Sequence, residues 1–221
     1  MKFPHLLFFI LTIGCTSSTN NRSKTESQPE SVSIESFENK KTIVFFGNSL
    51  TAGYGIDISE AFPAIIQEIV DSLSLQYQVI NAGLSGETTA SGSSRIAWVL
   101  KNKIDIFILE LGGNDGLRGI PTSETRKNLH EIIKKVRNNY PEVKIVLAGM
   151  QVPPNMGPEY SADFKSIFPE VATASNTALI PFLLENVGGE PNLNLDDGIH
   201  PTPEGHKLVA MNVWAVLEPL L

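Results

Sequence analysis

Val44-Phe45-Phe46-Gly47-Asn48-Ser49-Leu50-Thr51-Ala52-Gly53-Tyr54-Gly55 opens the first regular element of the chain. Its first half, with Thr42 and Ile43 before it, is a continuous apolar run rich in β-branched and aromatic residues. A strand with one wet face alternates apolar and polar residues; an unbroken run suits a strand covered on both faces. The run stops at Gly47 and turns into a short polar stretch carrying Ser49. A serine just past a strand is most simply a turn or cap residue, so chemistry at Ser49 has to be argued from what stands near it.

Outward from this strand the pattern alternates. Helical spacing over Phe62–Leu73, with Pro63 suited to a first turn, is followed by a second strand at Tyr77–Ile80. Thr88–Leu100 reads as a helix diluted by Gly92 and serines, and Asp105–Leu111 as a third, strongly apolar strand. Thr122–Asn139 carries Leu129, Ile132, Ile133 and Val136 on one face and is the clearest helix. Val143–Ala148 is a fourth strand, Ala162–Ser175 a helix interrupted by Pro169, Ala178–Ile180 a fifth strand, and Pro203–Leu217 a closing helix. Strands alternating with helices imply a three-layer α/β/α domain around a parallel five-stranded sheet, with the flavodoxin-like order 2-1-3-4-5.

In such open sheets ligands bind beyond the C-terminal strand ends. The first strand delivers Gly47-Asn48-Ser49, the second Asn81 to Thr88 with Gly86, the third Gly112-Gly113-Asn114-Asp115, and the region after the fifth Asp196-Asp197-Gly198-Ile199-His200-Pro201. One sheet edge therefore receives a serine, a glycine turn, an asparagine, two aspartates and a histidine. Those are the parts of a serine hydrolase. The α/β-hydrolase signature Gly-x-Ser-x-Gly is missing, because Thr51 stands where its second glycine would be. Taken singly, each residue has a plain turn or cap reading; only their convergence favours catalysis. A metal reading through Asp196, Asp197, His200 and His206 is weaker, because His206 falls inside the last helix and too few ligands converge. No metal and no cofactor are expected. The loop from Met150 to Tyr160 reads either as a rigid connector or as a pocket wall.

Composition agrees with a folded domain. The chain has 221 residues, 42% hydrophobic and 19% charged, with a net charge of −7. That charge disfavours nucleic acid as a partner. The lone cysteine, Cys15, excludes an internal disulfide. Lys2 and the apolar run Leu6–Leu11, too short to span a bilayer, lead to Gly14-Cys15. This resembles a bacterial lipoprotein signal; the alternative is an ordinary signal peptide with a bystander cysteine. The expected organisation is a signal over 1–14, a polar disordered tether over 15–39 and one domain over 40–221. The protein is expected to be an exported monomer, anchored by lipid on Cys15 to a membrane and facing the periplasm or cell surface.

Four ordered blocks, Phe46–Gly55, Asn81–Thr88, Glu110–Gly119 and Asp196–Pro201, make the chain resemble the SGNH (GDSL-type) hydrolases, close to the bacterial arylesterase, acyl-thioesterase and lysophospholipase group. The resemblance spans nearly everything after Lys40. It implies Ser49 as nucleophile, Asp197 and His200 as its triad partners, and the Ser49 N–H, Gly86 and Asn114 as oxyanion donors. It implies hydrolysis of small or medium acyl esters, with lysophospholipids among the candidates. Carbohydrate O-deacetylation and a non-catalytic binding role on the same fold are the alternatives. Glycine at 86 is read as avoiding a side chain that would crowd the acyl carbon. Asn48 departs from the aspartate usual in the family; it is expected to be structural, accepting backbone N–H bonds from the turn.

Overall fold

The computed structural model describes residues 40–221; the expected signal and tether, with Cys15, lie outside the described residues. Five strands, β1 (Lys41–Gly47), β2 (Tyr77–Asn81), β3 (Ile106–Glu110), β4 (Lys144–Ala148) and β5 (Ala178–Ile180), form one sheet in the order β2-β1-β3-β4-β5. Every neighbouring pair is parallel. The central strands β1 and β3 are buried almost along their whole length, as their unbroken apolar runs require. At the edge, β2 alternates buried and exposed residues.

Helices α1 (Ser49–Ala52), α2 (Phe62–Ser72), α3 (Thr89–Val99), α4 (Gly113–Leu117), α5 (Thr122–Asn139), α6 (Pro158–Ser175) and α7 (Pro203–Leu217) complete the domain. One layer pairs α2 with α7; the other runs α3, α5, α6. The core between layers and sheet is aliphatic and phenylalanine-rich, including Phe45, Phe46, Phe62, Phe107, Phe164 and Phe168. The expected three-layer α/β/α architecture and strand order hold.

Of two helices that carry breakers in sequence, α3 forms where expected and α6 starts earlier, each for a local reason. α3 forms despite Gly92 because Thr88 and Ser91 build a reciprocal capping box at its start. Gly92 itself is a packing residue: a Cβ there would sit 2.4 Å from Leu111 Cδ1 and 3.3 Å from Phe46 Cε1, so the helix packs tightly on these side chains at this point. α6 begins at Pro158, four residues before the expected Ala162, since Pro158 fits the first turn and Gly157, at φ 88°, lets the chain enter it. The helix runs through Pro169, held by the buried Phe164, Ile167, Phe168 and Val171.

The register bears on the site. Gly47 pairs with Glu110, so the last residues of β1 and β3 leave the sheet side by side. β2 lies on the other flank of β1, with Phe45 opposite Asn81. The loops after β1, β2 and β3 thus emerge together from one edge.

Candidate active site

The turn after β1 is a single helical turn closed at both ends by local bonds. Asn48 caps α1, its Oδ1 accepting the Leu50 N–H at 3.0 Å, as expected for a side-chain oxygen after a strand. At the other end Gly53, at φ 75°, and Tyr54 turn back, and the Tyr54 N–H donates to the Ser49 carbonyl at 3.0 Å. Beneath the turn lies Glu110, 1% exposed. Its Oε2 accepts the Asn48 N–H at 3.0 Å and the Thr51 hydroxyl at 2.8 Å, and its Oε1 accepts Asn48 Nδ2 at 2.7 Å. Position 47 has to be glycine for this approach: a Cβ would lie 2.1 Å from Thr51 Oγ1 and 2.4 Å from Glu110 Oε2. Burial pushes the Glu110 carboxyl up to about 7, against the opposing pull of the Thr51 and Asn48 donors.

The loop before α7 carries the second half of the site. Asp197 Oδ1 accepts the N–H groups of Ile199 and His200, each at 3.0 Å, in a tight turn made possible by Gly198 at φ 73°. Its Oδ2 lies 2.7 Å from His200 Nδ1, and His200 Nε2 lies 2.9 Å from Ser49 Oγ. Partial burial works against a charge on Asp197, but the Ile199 N–H, the imidazole and the His200 N–H outweigh it and hold the carboxyl down at about 2. An ionised Asp197 assigns the proton to Nδ1 and leaves Nε2 free to accept from the serine hydroxyl. The loop is fastened at its base, with the Leu195 N–H donating to the His200 carbonyl at 2.7 Å and Asn194 bridging Pro201.

Asn114 stands at the N-terminal turn of α4, where its Nδ2 donates to the Glu87 carbonyl at 3.0 Å. That uses one of its two N–H bonds and leaves the other for a ligand. Gly86 lies in the neighbouring turn, and its carbonyl accepts from Arg118 at 3.1 Å. Among the described residues no protein acceptor takes the backbone N–H of Ser49 or of Gly86. Glycine at 86 is explained by its φ of 80°. Crowding by the protein is not the reason, for among its own atoms a Cβ there would meet nothing closer than Arg118 Nη2 at 3.9 Å. The two loops are bolted together below. Buried Glu87 pairs with Arg95 at 2.6 Å, and buried Asp115 accepts the Thr89 N–H at 2.9 Å together with the Thr89 hydroxyl.

Ser49, Asn114 and His200 share the wall of a cleft of about 400 Å³. Leu117, Met150, Val152, Pro153, Phe182 and Leu184 supply much of the rest, which gives the cleft a largely apolar interior beside the polar edge. The Met150–Tyr160 loop thus contributes wall residues at its start. Gly86 stays outside this lining.

His206 is buried in α7 with its Nδ1 accepting the Phe62 N–H at 3.2 Å, which removes it from the metal reading. Among the described residues no group of three His, Cys, Asp or Glu side chains is arranged to hold a metal ion, and no helix is long and apolar enough to cross a membrane. Two residues went unassigned in the sequence. Glu110 had a signal: it is the one acid closing a strand otherwise apolar and buried on both faces, next to the Gly47 register position. Tyr54 had none beyond its two flanking glycines.

The family model described as GDSL-like Lipase/Acylhydrolase matches residues 45–208. The chain is 38% identical over 182 residues to the Pseudomonas aeruginosa protein named Esterase TesA, covering 82% of this chain and 90% of that one. It is 35% identical over 181 residues to Thioesterase 1/protease 1/lysophospholipase L1 of Escherichia coli K12, covering 81% and 85%. Among solved structures, AlinE4, described as an SGNH-hydrolase family esterase, superposes with a TM-score of 0.68 at 40% identity, covering 82% of this chain and 97% of that one. The chain belongs to the GDSL-like lipase/acylhydrolase family and is a carboxylic ester hydrolase.

Two buried groups make stability depend on pH in opposite senses. The Glu110 carboxyl, raised from 4.5 to about 7, favours folding below about 4.5 and loses that advantage as pH rises to 7. Burial, and then the His200 charge, lower His206 from 6.5 to about 4, so its penalty is relieved as pH rises through 4 to 6.5. The two slopes largely cancel in the wild type, whereas Glu110→Gln leaves only the second. Urea midpoints are expected to be nearly level for wild type between these pH values. For Glu110→Gln they should climb, by an amount on the order of 3 kcal/mol in unfolding free energy. Parallel profiles for the two proteins would refute the buried titration of Glu110.

Proposed function

We propose that this acylhydrolase cleaves small to medium acyl esters through a Ser49–His200–Asp197 triad and an acyl-enzyme. The observation that carries this reading is the chain of bonds from Ser49 Oγ to His200 Nε2 at 2.9 Å and from Nδ1 to Asp197 Oδ2 at 2.7 Å, at the edge of an apolar cleft. His200 takes the hydroxyl proton as Ser49 Oγ attacks the ester carbon. Negative charge then collects on the former carbonyl oxygen, and the N–H groups of Ser49, Gly86 and the Asn114 side chain stabilise it. His200 returns the proton to the departing alcohol. Water repeats the sequence on the acyl-enzyme, and the carboxylic acid leaves. Asp197 stays ionised throughout and keeps Nδ1 protonated.

The apolar walls formed by Leu117, Met150, Val152 and Phe182 suit an acyl chain and give no charged group for a polar head to meet. A relative bears lysophospholipase in its name, which makes lysophospholipids substrates to try beside p-nitrophenyl esters. A chain-length series from acetate upward measures where the cleft ends. We also propose export and lipid anchoring at Cys15. Native protein should then partition into detergent and Cys15→Ser should not; equal partitioning of the two would favour an ordinary signal peptide.

Ser49→Ala and His200→Ala are each expected to lower kcat by several orders of magnitude, because the triad acts as a unit. Asn114→Ala should cost about 10²-fold in kcat with little change in KM. Turnover that survives in either triad variant would end the mechanism, and a change confined to KM would make Asn114 a binding residue.

Asn48→Asp separates a structural role at position 48 from a catalytic one. The new carboxylate would replace the Nδ2 group that now stands 2.7 Å from Glu110 Oε1, so the two acids must share a proton. At mildly acidic pH, kcat/KM is expected to stay within about tenfold of wild type, since the Leu50 cap is kept. As pH rises and the shared proton leaves, the variant should lose activity that the wild type retains, and Asn48→Asp combined with Glu110→Gln should recover it. Wild type without turnover, rescued by Asn48→Asp alone, would overturn the structural role.

A further inference from the structure

Tyr54 touches both halves of the proposed triad without lining the cleft. Its ring lies against the His200 imidazole, with centroids 4.5 Å apart and planes inclined at 39°. Its backbone N–H donates to the carbonyl of Ser49 itself. The residue is set between two glycines in left-handed conformations, Gly53 at φ 75° and Gly55 at φ 80°. Both positions are also tightly packed. A Cβ at Gly53 would come within 2.7 Å of Ala61 Cβ, and one at Gly55 within 2.6 Å of Leu195 Cδ1. Leu195 belongs to the loop of Asp197 and His200, whose carbonyls and amides it helps close. The Tyr54 loop is therefore keyed into the histidine loop, and the ring position follows from backbone geometry on both sides.

Burial does not account for this placement, since Tyr54 remains 52% exposed. Exposed Trp98 offers a contrast: its ring meets the flexible Lys101 one helical turn away and no part of the site. The His200 ring is met by Asp197 at Nδ1, by Ser49 at Nε2 and by Tyr54 across a face. His206, in α7, is close enough to feel a charge on His200, but burial keeps it neutral at working pH. When His200 takes the serine proton, the positive charge that forms lies beside the electron-rich face of an aromatic ring, which attracts cations.

We propose that Tyr54 is a positioning residue for the catalytic base, its ring limiting the swing of the His200 imidazole and favouring the imidazolium formed as Ser49 attacks. The proposal rests on the triad reading above. It predicts an effect on kcat and on the acid limb of the rate profile, with little effect on KM because the cleft wall is untouched.

The test compares wild type with Tyr54→Phe, which keeps the ring, and with Tyr54→Leu and Tyr54→Met, which keep bulk without it. The readouts are kcat and KM on p-nitrophenyl acetate across pH, and an NMR titration of the His200 ring proton in a Ser49→Ala background, which needs no turnover. Tyr54→Phe should match wild type in both. Tyr54→Leu and Tyr54→Met should shift the acid limb and the NMR midpoint down by about half a pH unit, with kcat lowered several-fold and KM within about twofold. An unmoved midpoint and kcat in the Leu and Met variants would overturn the proposal, as would a Phe variant as impaired as they are. These results are separable from failure of the triad: His200→Ala with surviving turnover would refute the triad, while the NMR midpoint would still report on the contact between the two rings.

Discussion

A carboxylate buried under a strand end governs the site. Glu110 closes β3 beside Gly47, and it ties the Asn48 backbone, the Asn48 side chain and the Thr51 hydroxyl into one knot. A four-residue helix has little stability of its own, since the first turn fixes several dihedrals for one hydrogen bond. α1 persists because Glu110 and the Asn48 cap satisfy the groups a short helix leaves open at its start. Gly47 is the sterical condition for the knot, so a glycine, a cap and a distant acid form a single constraint.

The same economy appears in how the other loops are held. The other loops at the active edge are also braced by acids, two of them buried, Glu87 and Asp115, and one exposed, Asp197, which acts within its own loop. Glu87 grips Arg95, whose guanidinium also reaches the Ala82 carbonyl and lies over the Phe46 ring. Asp115 grips the first turn of α3 through Thr89. Asp197 folds its own loop around Oδ1 and keeps Oδ2 for the imidazole. Buried acids are costly unless their lone pairs are filled, and those of Glu110, Glu87 and Asp115 are filled by groups that must be positioned anyway. Specific placement, more than net stability, is what such networks supply.

The layers, the strand order and the edge where the loops gather were legible in the sequence because they follow from apolar runs and helical spacing, which tertiary contacts seldom reverse. Ser49 and Asn114 stand just past β1 and β3, as the strand pattern leads one to expect, whereas Asp197 and His200 lie well beyond β5 and come into view only through the block Asp196–Pro201 that resembles the family. Glu110 was missed as an actor because its role lies in register: only the pairing of Gly47 with Glu110 brings a β3 acid under a β1 turn. The start of α6 was misplaced because Gly157 and Pro158 read as loop residues until the chain is seen to enter the helix through them. Gly86 sits in a turn as expected, and its φ of 80° selects glycine there by conformation alone, a cause that sequence does not separate from crowding of a bound acyl group.

A helix this short brings one further consequence for the proposed chemistry. Longer helices favour an anion at their N-terminus through aligned peptide dipoles, but α1 is only four residues and sums too few of them. Stabilisation of an oxyanion at Ser49 then has to come from individually aimed N–H groups. Those groups belong to three different loops, after β1, β2 and β3, and an error of about 1 Å in any of them is the scale at which catalysis is lost. The bond from Asn114 to the Glu87 carbonyl and the bond from Arg118 to the Gly86 carbonyl each join the β2 and β3 loops at the point where their donors must converge. The cross-links around the site are thus the counterpart of the short helix: where one element cannot supply a concentrated field, several must be held rigidly enough to act together.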